Sequence, residues 1–285
     1  MSHELSERYS GLVDAKLRYT LVTRDNYVFN THYEGTAASG AVKIPVRDTE
    51  VEVKAYDKIG GAVLSQGSTA YLTVVMDNDE AVNEMIDGYD AASLPDSVVA
   101  ERLASAGYTL GLSIDRKSIA ALERTDGIAV SASKTACTNT NAYEQVAKAR
   151  TALSRTGVPG RDRWLIVSPE FMEKILLDDK FVKQGELSQE LVAAGAVGRI
   201  AGFNVFESNN LMFENEDFLT GKKVTTEFIA GHPNWCHRIQ EWAVPVAVNK
   251  LADGVHIGAS AVQGRKVYSV LVSKPQTIYV KRVES

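Results

Sequence analysis

Apolar positions change their period several times along this chain, and the changes mark its parts. Val99, Leu103, Ala106, Leu110, Ile114 and Ala121 recur three, four or seven residues apart, a stripe at helical period. They predict one helix through DSVVAERLASAGYTLGLSIDRKSIAALER, roughly 28 residues and about 40 Å long. Pro95 suits its first turn and Asp96 its positive end. Gly107 and Gly111 lie inside it, each costing about 1 kcal/mol relative to alanine. Such a helix must be held by neighbours, and its glycines let another backbone approach. It reads as a beam along which other parts lie. The stretch before it opens DNDEAVNEMIDGYDAA and breaks at Leu94-Pro95. Asp77-Asn78-Asp79-Glu80 reads there as a capped helix N-terminus leading a solvated acidic helix face; it lacks calcium-loop spacing.

Upstream of the beam the period is two. AVKIPV is short and apolar, and RDTEVEVKAYD alternates Val51, Val53 and Ala55 against Glu50, Glu52 and Lys54. Gly60-Gly61 gives a turn, and STAYLTVVM is a second strand. The two segments predict a long hairpin, marginal in water by itself, which needs a partner surface in this chain or on another copy. Residues 1–40 predict a short amphipathic helix over 2–18 and an arm without a core of its own.

After the beam, a polar link rich in Ser, Thr and Asn leads to a helix in NAYEQVAKARTALSRTG, ended by Gly157. A buried-type strand follows at residues 163–167. Ser168 caps a helix with Pro169 at its first position. AVGRIAGFNVFESNNL adds further strand, completing an α/β layer. TTEFIAGHP reads as a strand after a charged loop over 213–226. Four last strands, 244–248, 255–259, 266–272 and 277–283, are separated by Asp253-Gly254, Gln263-Gly264 and Lys274-Pro275. They need a helix on one face, and the beam is the one unspent, so the chain is expected to leave its first unit and return to it.

The 285 residues suffice for one large domain or two ordinary ones, and 45% apolar with 24% charged residues fits a folded chain. A net charge of −5 excludes an overall basic field for gripping nucleic acid or an anionic membrane. No apolar run approaches the ~18 residues of a membrane span, and the polar N-terminus is not a secretory signal. Cys137 and Cys236 are too few for a disulfide framework and suit a reducing cytoplasm. Phosphate-binding glycine loops, nucleophile elbows and C-x-x-C pairs are absent. GHPNWCHR offers His232, Cys236 and His237, zinc-type ligands whose adjacency makes convergence on one ion difficult. The other reading is a turn or strand with Trp235 and Cys236 buried. Cys137 sits in a Ser/Thr/Asn loop and needs distant partners to act as a nucleophile. The residues therefore point to an assembling structural protein without catalytic, cofactor or metal residues; a soluble α/β metalloenzyme using the His/Cys group is the alternative.

Two stretches carry a family resemblance. WLIVSPEFMEKILLDD followed by GAVGRIAGFNVFESNNL, and the order ribbon, VVMDNDEA, long helix with LGLSIDRKSIAALE, resemble the major capsid proteins of tailed bacteriophages. The resemblance covers about residues 42–283 through order and spacing. It implies an α+β, Hong-Kong-97-type fold: an N-arm (1–40), an extended loop (41–76), a peripheral domain with spine helix (77–140), an axial domain (141–243) and a return to the peripheral domain (244–285). It implies assembly contacts at Lys54, Lys58, Gly60 and Gly61 of the extended loop, Asp77, Asp79 and Glu80 before the spine helix, and Gly198, Arg199 and Gly202 of the axial domain. It further implies an icosahedral virion shell of pentamers and hexamers, assembled in the bacterial cytoplasm around double-stranded DNA without sequence-specific binding, with a portal protein. The ribbon begins by about residue 41, leaving no room for a fused scaffold, so a separate scaffolding protein is expected. Some relatives crosslink a Lys to an Asn; Lys54 or Lys58 with Asn249 has the residue types but no specific motif. Encapsulin compartments share the fold and are the alternative shell.

Overall fold

The computed structural model describes residues 18, 20–30, 40–46, 50–62, 64, 69–87, 96–178, 196–211, 215–216, 223–252 and 254–284. The expected helix over 2–18 falls almost wholly outside them, as do the Leu94-Pro95 break and most of the charged loop. In chain order the first strands are β1 (Ala41–Val46), β2 (Ala70–Val75), β3 (Asn78–Ile86) and β4 (Ala129–Val130). Next come β5 (Trp164–Val167), β6 (Ala196–Ile200), β7 (Phe203–Glu207) and β8 (Asn215–Glu216). The last are β9 (Lys223–Gly231), β10 (Cys236–Lys250), β11 (Ser260–Val272) and β12 (Tyr279–Glu284). The helices are α1 (Asp96–Arg124), α2 (Ala142–Arg155) and α3 (Pro169–Leu176).

The beam is α1, 29 residues long. It serves two sheets in succession. Ala106 is buried with Ile86 and Val262, with Val99 and Leu103 packed alongside, against the sheet of order β10-β11-β3. Farther along, Ile119 and Leu122 enter the core of a seven-stranded sheet, ordered β4-β12-β9-β5-β7-β6 with β8 beside β9. Ala121, on the stripe read from the sequence, is only half-buried. The second sheet meets the helix from another side, so the buried face rotates along it.

The larger sheet is covered on both faces. Leu165 and Val167 of β5 face α2 and α3, meeting Val146, Leu153, Phe171 and Ile175. Trp164 and Ile166 face Val28, Phe29 and the end of α1. Two-sided burial explains why β5 reads as an apolar run rather than an alternation. Ser168 caps α3 as expected, its Oγ accepting from the Phe171 amide at 3.2 Å. The β6–β7 connection turns through Ala201 (φ 48°) and Gly202 (φ 87°), the left-handed pair of a tight hairpin.

Three expectations are corrected. Asp77, Asp79 and Glu80 do not open a helix: from Asn78 the chain is an edge strand, paired with β11 from Asn78↔Tyr268 to Ile86↔Ser260. Asn78, Glu80 and Val82 are half-buried while Asp79, Ala81 and Asn83 are exposed, a period of two. Cations offset the poor strand propensity, Asp79 pairing Arg265 on β11 and Glu80 pairing Lys117 on α1. Residues 255–259 are not a strand but part of the connection from β10 to β11, with Gly254 and Gly258 at φ 74° and 79°. Gln263-Gly264 is not a turn but lies inside β11. A Cβ at 264 would stand 2.7 Å from Val246 Cγ2, so glycine there permits close approach at the β10 bulge, which also holds Pro245.

The ribbon is antiparallel where it leaves the body, Ala41↔Val75 to Val46↔Ala70. Its base is anchored by Val42 and Val74 against Ile239. Beyond the base, residues 50–56 join no ladder among the described residues, although their alternation predicts a strand. Nothing described in the chain offers them a face to bury against.

Candidate assembly surfaces

The ribbon's far end is built around Asp57. Its carboxylate accepts from the Ile59 amide at 3.2 Å and the Gly60 amide at 3.1 Å. The Gly61 amide donates to the Asp57 carbonyl at 2.8 Å, with Gly61 at φ 69°. This turn displays rather than hides its side chains. Val53, Ile59 and Leu64 are 101%, 97% and 95% exposed, and Lys54 and Lys58 are exposed with them. Lys54 lies 3.9 Å from Glu52. Monomeric proteins seldom expose so much contiguous apolar surface, and the pattern marks an interaction site. A second exposed tip, between β10 and β11, carries Val255 and Ile257 at 74% and 95% exposure. The axial candidates lie on one hairpin: Gly198 is half-buried in β6, Arg199 exposed beside it, and Gly202 exposed at its turn. The candidates fall on three different elements, the ribbon tip, the β3 edge strand and the β6–β7 hairpin.

Inside, a polar network that the sequence did not reveal joins distant segments of the chain. Asp115, 1% exposed at mid-α1, accepts from the Thr23 amide at 2.8 Å, the Thr23 hydroxyl at 2.7 Å and Asn210 Nδ2 at 2.6 Å. Arg238 of β10 donates to the Thr23 hydroxyl at 2.9 Å and to the Arg24 carbonyl at 3.3 Å, its guanidinium 5.2 Å from the Phe29 ring centre. Asn30 closes the strap: its amide bonds the Cys236 carbonyl at 2.8 Å, and its Nδ2 donates to the Pro233 and Asn234 carbonyls. Residues 21–30 thus tie the spine helix, both sheets and the loop after β7 together. Asp115 follows Ile114 by one helical step and reads in sequence as solvent-facing, which is why the stripe missed it.

GHPNWCHR is spent on the same strap. His237 Nδ1 meets Asn30 Oδ1 and its Nε2 meets the Ser273 hydroxyl, each at 3.1 Å. Asn30 uses its amide hydrogens on carbonyls, so His237 donates from Nδ1 to the Asn30 side-chain oxygen, and burial lowers the His237 pKa. His232 Nδ1 accepts from the Asn234 amide at 3.2 Å, and Cys236 is fully buried with its thiol pKa raised by burial. No group of three or more metal-ligating side chains converges among the described residues. Cys137 meets Glu227, whose carboxylate accepts the Cys137 amide at 2.9 Å and pairs with Lys174 at 2.8 Å. Burial, and then the Glu227 carboxylate, push the Cys137 thiol up to about 12, the reverse of what a nucleophile needs.

A ribbon with exposed apolar residues, a spine helix spanning two sheets and an α/β unit with a tight hairpin define an α+β capsid fold of Hong-Kong-97 type, and solved structures share it over nearly the whole chain. A structure of Mycobacterium phage Che8 matches with TM-score 0.69 at 19% identity, covering 97% of this chain and 96% of that one. The capsid of cyanophage P-SCSP1u matches with TM-score 0.70 at 16% identity, covering 97% and 92%. The capsid of an empty GTA particle matches with TM-score 0.67 at 12% identity, covering 99% and 96%. The profile of the phage capsid protein family matches residues 78–280, and the chain belongs to that family. It is a structural protein of a phage capsid; the match does not favour an encapsulin. A search of curated proteins gives no match.

Proposed function

We propose that this chain is the major capsid protein of a tailed phage or related particle, closing into an icosahedral shell of pentamers and hexamers around double-stranded DNA. The observation that carries the reading is the ribbon, whose exposed Val51, Val53, Tyr56, Ile59 and Leu64 find no cover in the described chain. On a neighbouring subunit they would gain it, roughly 1.5–3 kcal/mol for each large side chain buried. The GTA capsid described with C5 symmetry supports fivefold vertices by analogy of fold. Residues 1–40 serve as N-arm and 41–76 as the extended loop. Residues 77–140 with 244–285 form the peripheral domain, and 141–243 the axial domain at capsomer centres. Lys54, Lys58, Gly60 and Gly61, Asp77, Asp79 and Glu80, and Gly198, Arg199 and Gly202 lie at subunit contacts. Assembly takes place in the bacterial cytoplasm with a separate scaffolding protein and a portal. Net negative charge accords with a container that holds DNA without gripping it.

The test replaces residues 50–62 by a Gly/Ser loop of equal length. Sedimentation of chains expressed with their neighbouring genes should shift from shells to free subunits or single capsomers, with the fold retained by circular dichroism. Shells of normal size from the replaced chain would refute the role of the ribbon.

A further inference from the structure

We propose that the cleft between α1 and the β10–β11 sheet is a binding site for a phosphate group, carried by nucleic acid or free in solution. The inference goes beyond the shell reading and does not depend on it, since single subunits suffice to test it.

Distant segments bring the cations of this cleft together. Along β10, Arg238, Gln240 and Trp242 are spaced by two and share one face of the strand. Lys266 lies directly across the ladder from Trp242 and shares that face, its Nζ 4.8 Å from the Trp242 ring centre. Arg24 of the strap joins them, and all five line the cleft. Opposite stand Gly107, Leu110 and Ile114 of α1, small or apolar. The cleft has a volume of about 490 Å³, room for a phosphate group with part of the molecule that carries it.

The charges are one-sided. Arg24, Arg238 and Lys266 line the space and, among the described residues, no acid does. The Asp115 carboxylate is 1% exposed and is taken up by Thr23 and Asn210. Arg238, 2% exposed, donates to the Thr23 hydroxyl and the Arg24 carbonyl, both neutral. Burial, and then the charge of Arg238, lower the pKa of Lys266, so the two cations feel each other across the space. An anion between them turns that repulsion into attraction, and the apolar helix wall reduces the water that would screen it. The attraction is local, because a net charge of −5 gives the chain no overall pull on nucleic acid.

Phosphate suits this set better than a carboxylate. Arg24 offers a planar fork that matches two phosphate oxygens, and Lys266 a point charge beside it. The Gln240 amide adds a neutral donor, and Arg238 adds its charge. A carboxylate brings one negative charge to three cations. A phosphate monoester or inorganic phosphate brings about 1.5–2 near pH 7, and a nucleic-acid strand brings several in a row.

Calorimetric titration of unassembled subunits with sodium phosphate, at constant ionic strength held by chloride, tests this. Saturable binding of one phosphate per subunit is expected, with acetate weaker by about tenfold or more. Lys266→Gln and Arg24→Gln should each weaken phosphate about tenfold, the loss of one charge-assisted contact. Lys250→Gln, exposed at the end of β10, should bind as the wild type does. Gln240→Glu, which puts an acid inside the cleft, should abolish binding. Circular dichroism checks the fold of each variant, and Arg24 is exposed, so its variant keeps the test open where another fails to fold. A second titration uses a short thymidylate strand without terminal phosphates. A strand that binds, competes with phosphate and is lost in the same variants makes nucleic acid the source; phosphate bound with the strand excluded makes it free phosphate. Absence of saturable binding by either probe, acetate bound as tightly as phosphate, or binding that survives Lys266→Gln combined with Arg24→Gln would overturn the inference. The shell reading stands or falls separately, on the ribbon replacement.

Discussion

Replacing Asp115 by Asn changes few atoms and disturbs the strap at its centre. One carboxylate oxygen takes two donors from Thr23 and the other takes Asn210 Nδ2. An amide in its place has one oxygen and one NH2 group. Whichever way it turns, N–H faces a donor, and every remaining bond loses its charge assistance. Hydrogen bonds to charged groups contribute about 1.5–3 kcal/mol each, and a buried donor left unpaired costs about 1–3 kcal/mol. Rotation of the Thr23 hydroxyl and of Asn210 recovers part of this, so Asp115→Asn should cost about 2 kcal/mol. Asp115→Ala, which strands all three donors, should cost about 3–5 kcal/mol. The Thr23 amide reports the site directly in hydrogen exchange on unassembled subunits. Its opening should speed up about 30-fold at 2 kcal/mol, with a matching fall in the urea midpoint. An unchanged Thr23 exchange rate together with an unchanged midpoint would show that Asp115 does not hold the strap, and the reasoning would fail.

Other consequences follow from the buried groups and the glycines. With its thiol near 12, Cys137 is roughly one part in ten thousand thiolate at pH 8, so iodoacetamide should leave both cysteines unmodified in native subunits and modify both in urea, as read by intact mass. Burial lowers the pKa values of His232 and His237, so below the ordinary histidine range the unfolded chain binds protons that the folded chain refuses; stability should fall as pH drops from about 7 to 5, and less steeply in His237→Gln. Gly107→Ala, facing open space, should stabilise the subunit by about 0.5–1 kcal/mol in thermal unfolding. Gly231→Ala, whose Cβ would stand 2.5 Å from Trp164 Cζ2, should destabilise it by about 1–3 kcal/mol.

Much of the fold was legible because its elements follow local rules. The Val99 to Ile114 spacing, the Ser168-Pro169 cap and the apolar run at 164–167 each carry their own instruction. Failures came where tertiary context overrides the local one. Asp77 to Glu80 look like a helix cap until Arg265 and Lys117 stand opposite them and β11 offers a ladder. Gly264 looks like a turn until Val246 crowds it from the next strand. The ribbon was foreseen as a surface in need of a partner, since its apolar positions alternate without enough partners to bury them. The strap was not foreseen. Thr23, Asn30, Asp115, Asn210 and Arg238 are scattered across the chain, and each reads as an ordinary polar residue until folding gathers them along one strap.

The central claim is that this subunit closes into shells, and cryo-electron microscopy of the protein expressed with its neighbouring genes tests it most directly. The account predicts closed icosahedral particles of pentamers and hexamers, with density for each ribbon lying on an adjacent subunit. A monodisperse monomer under every condition of co-expression would contradict it.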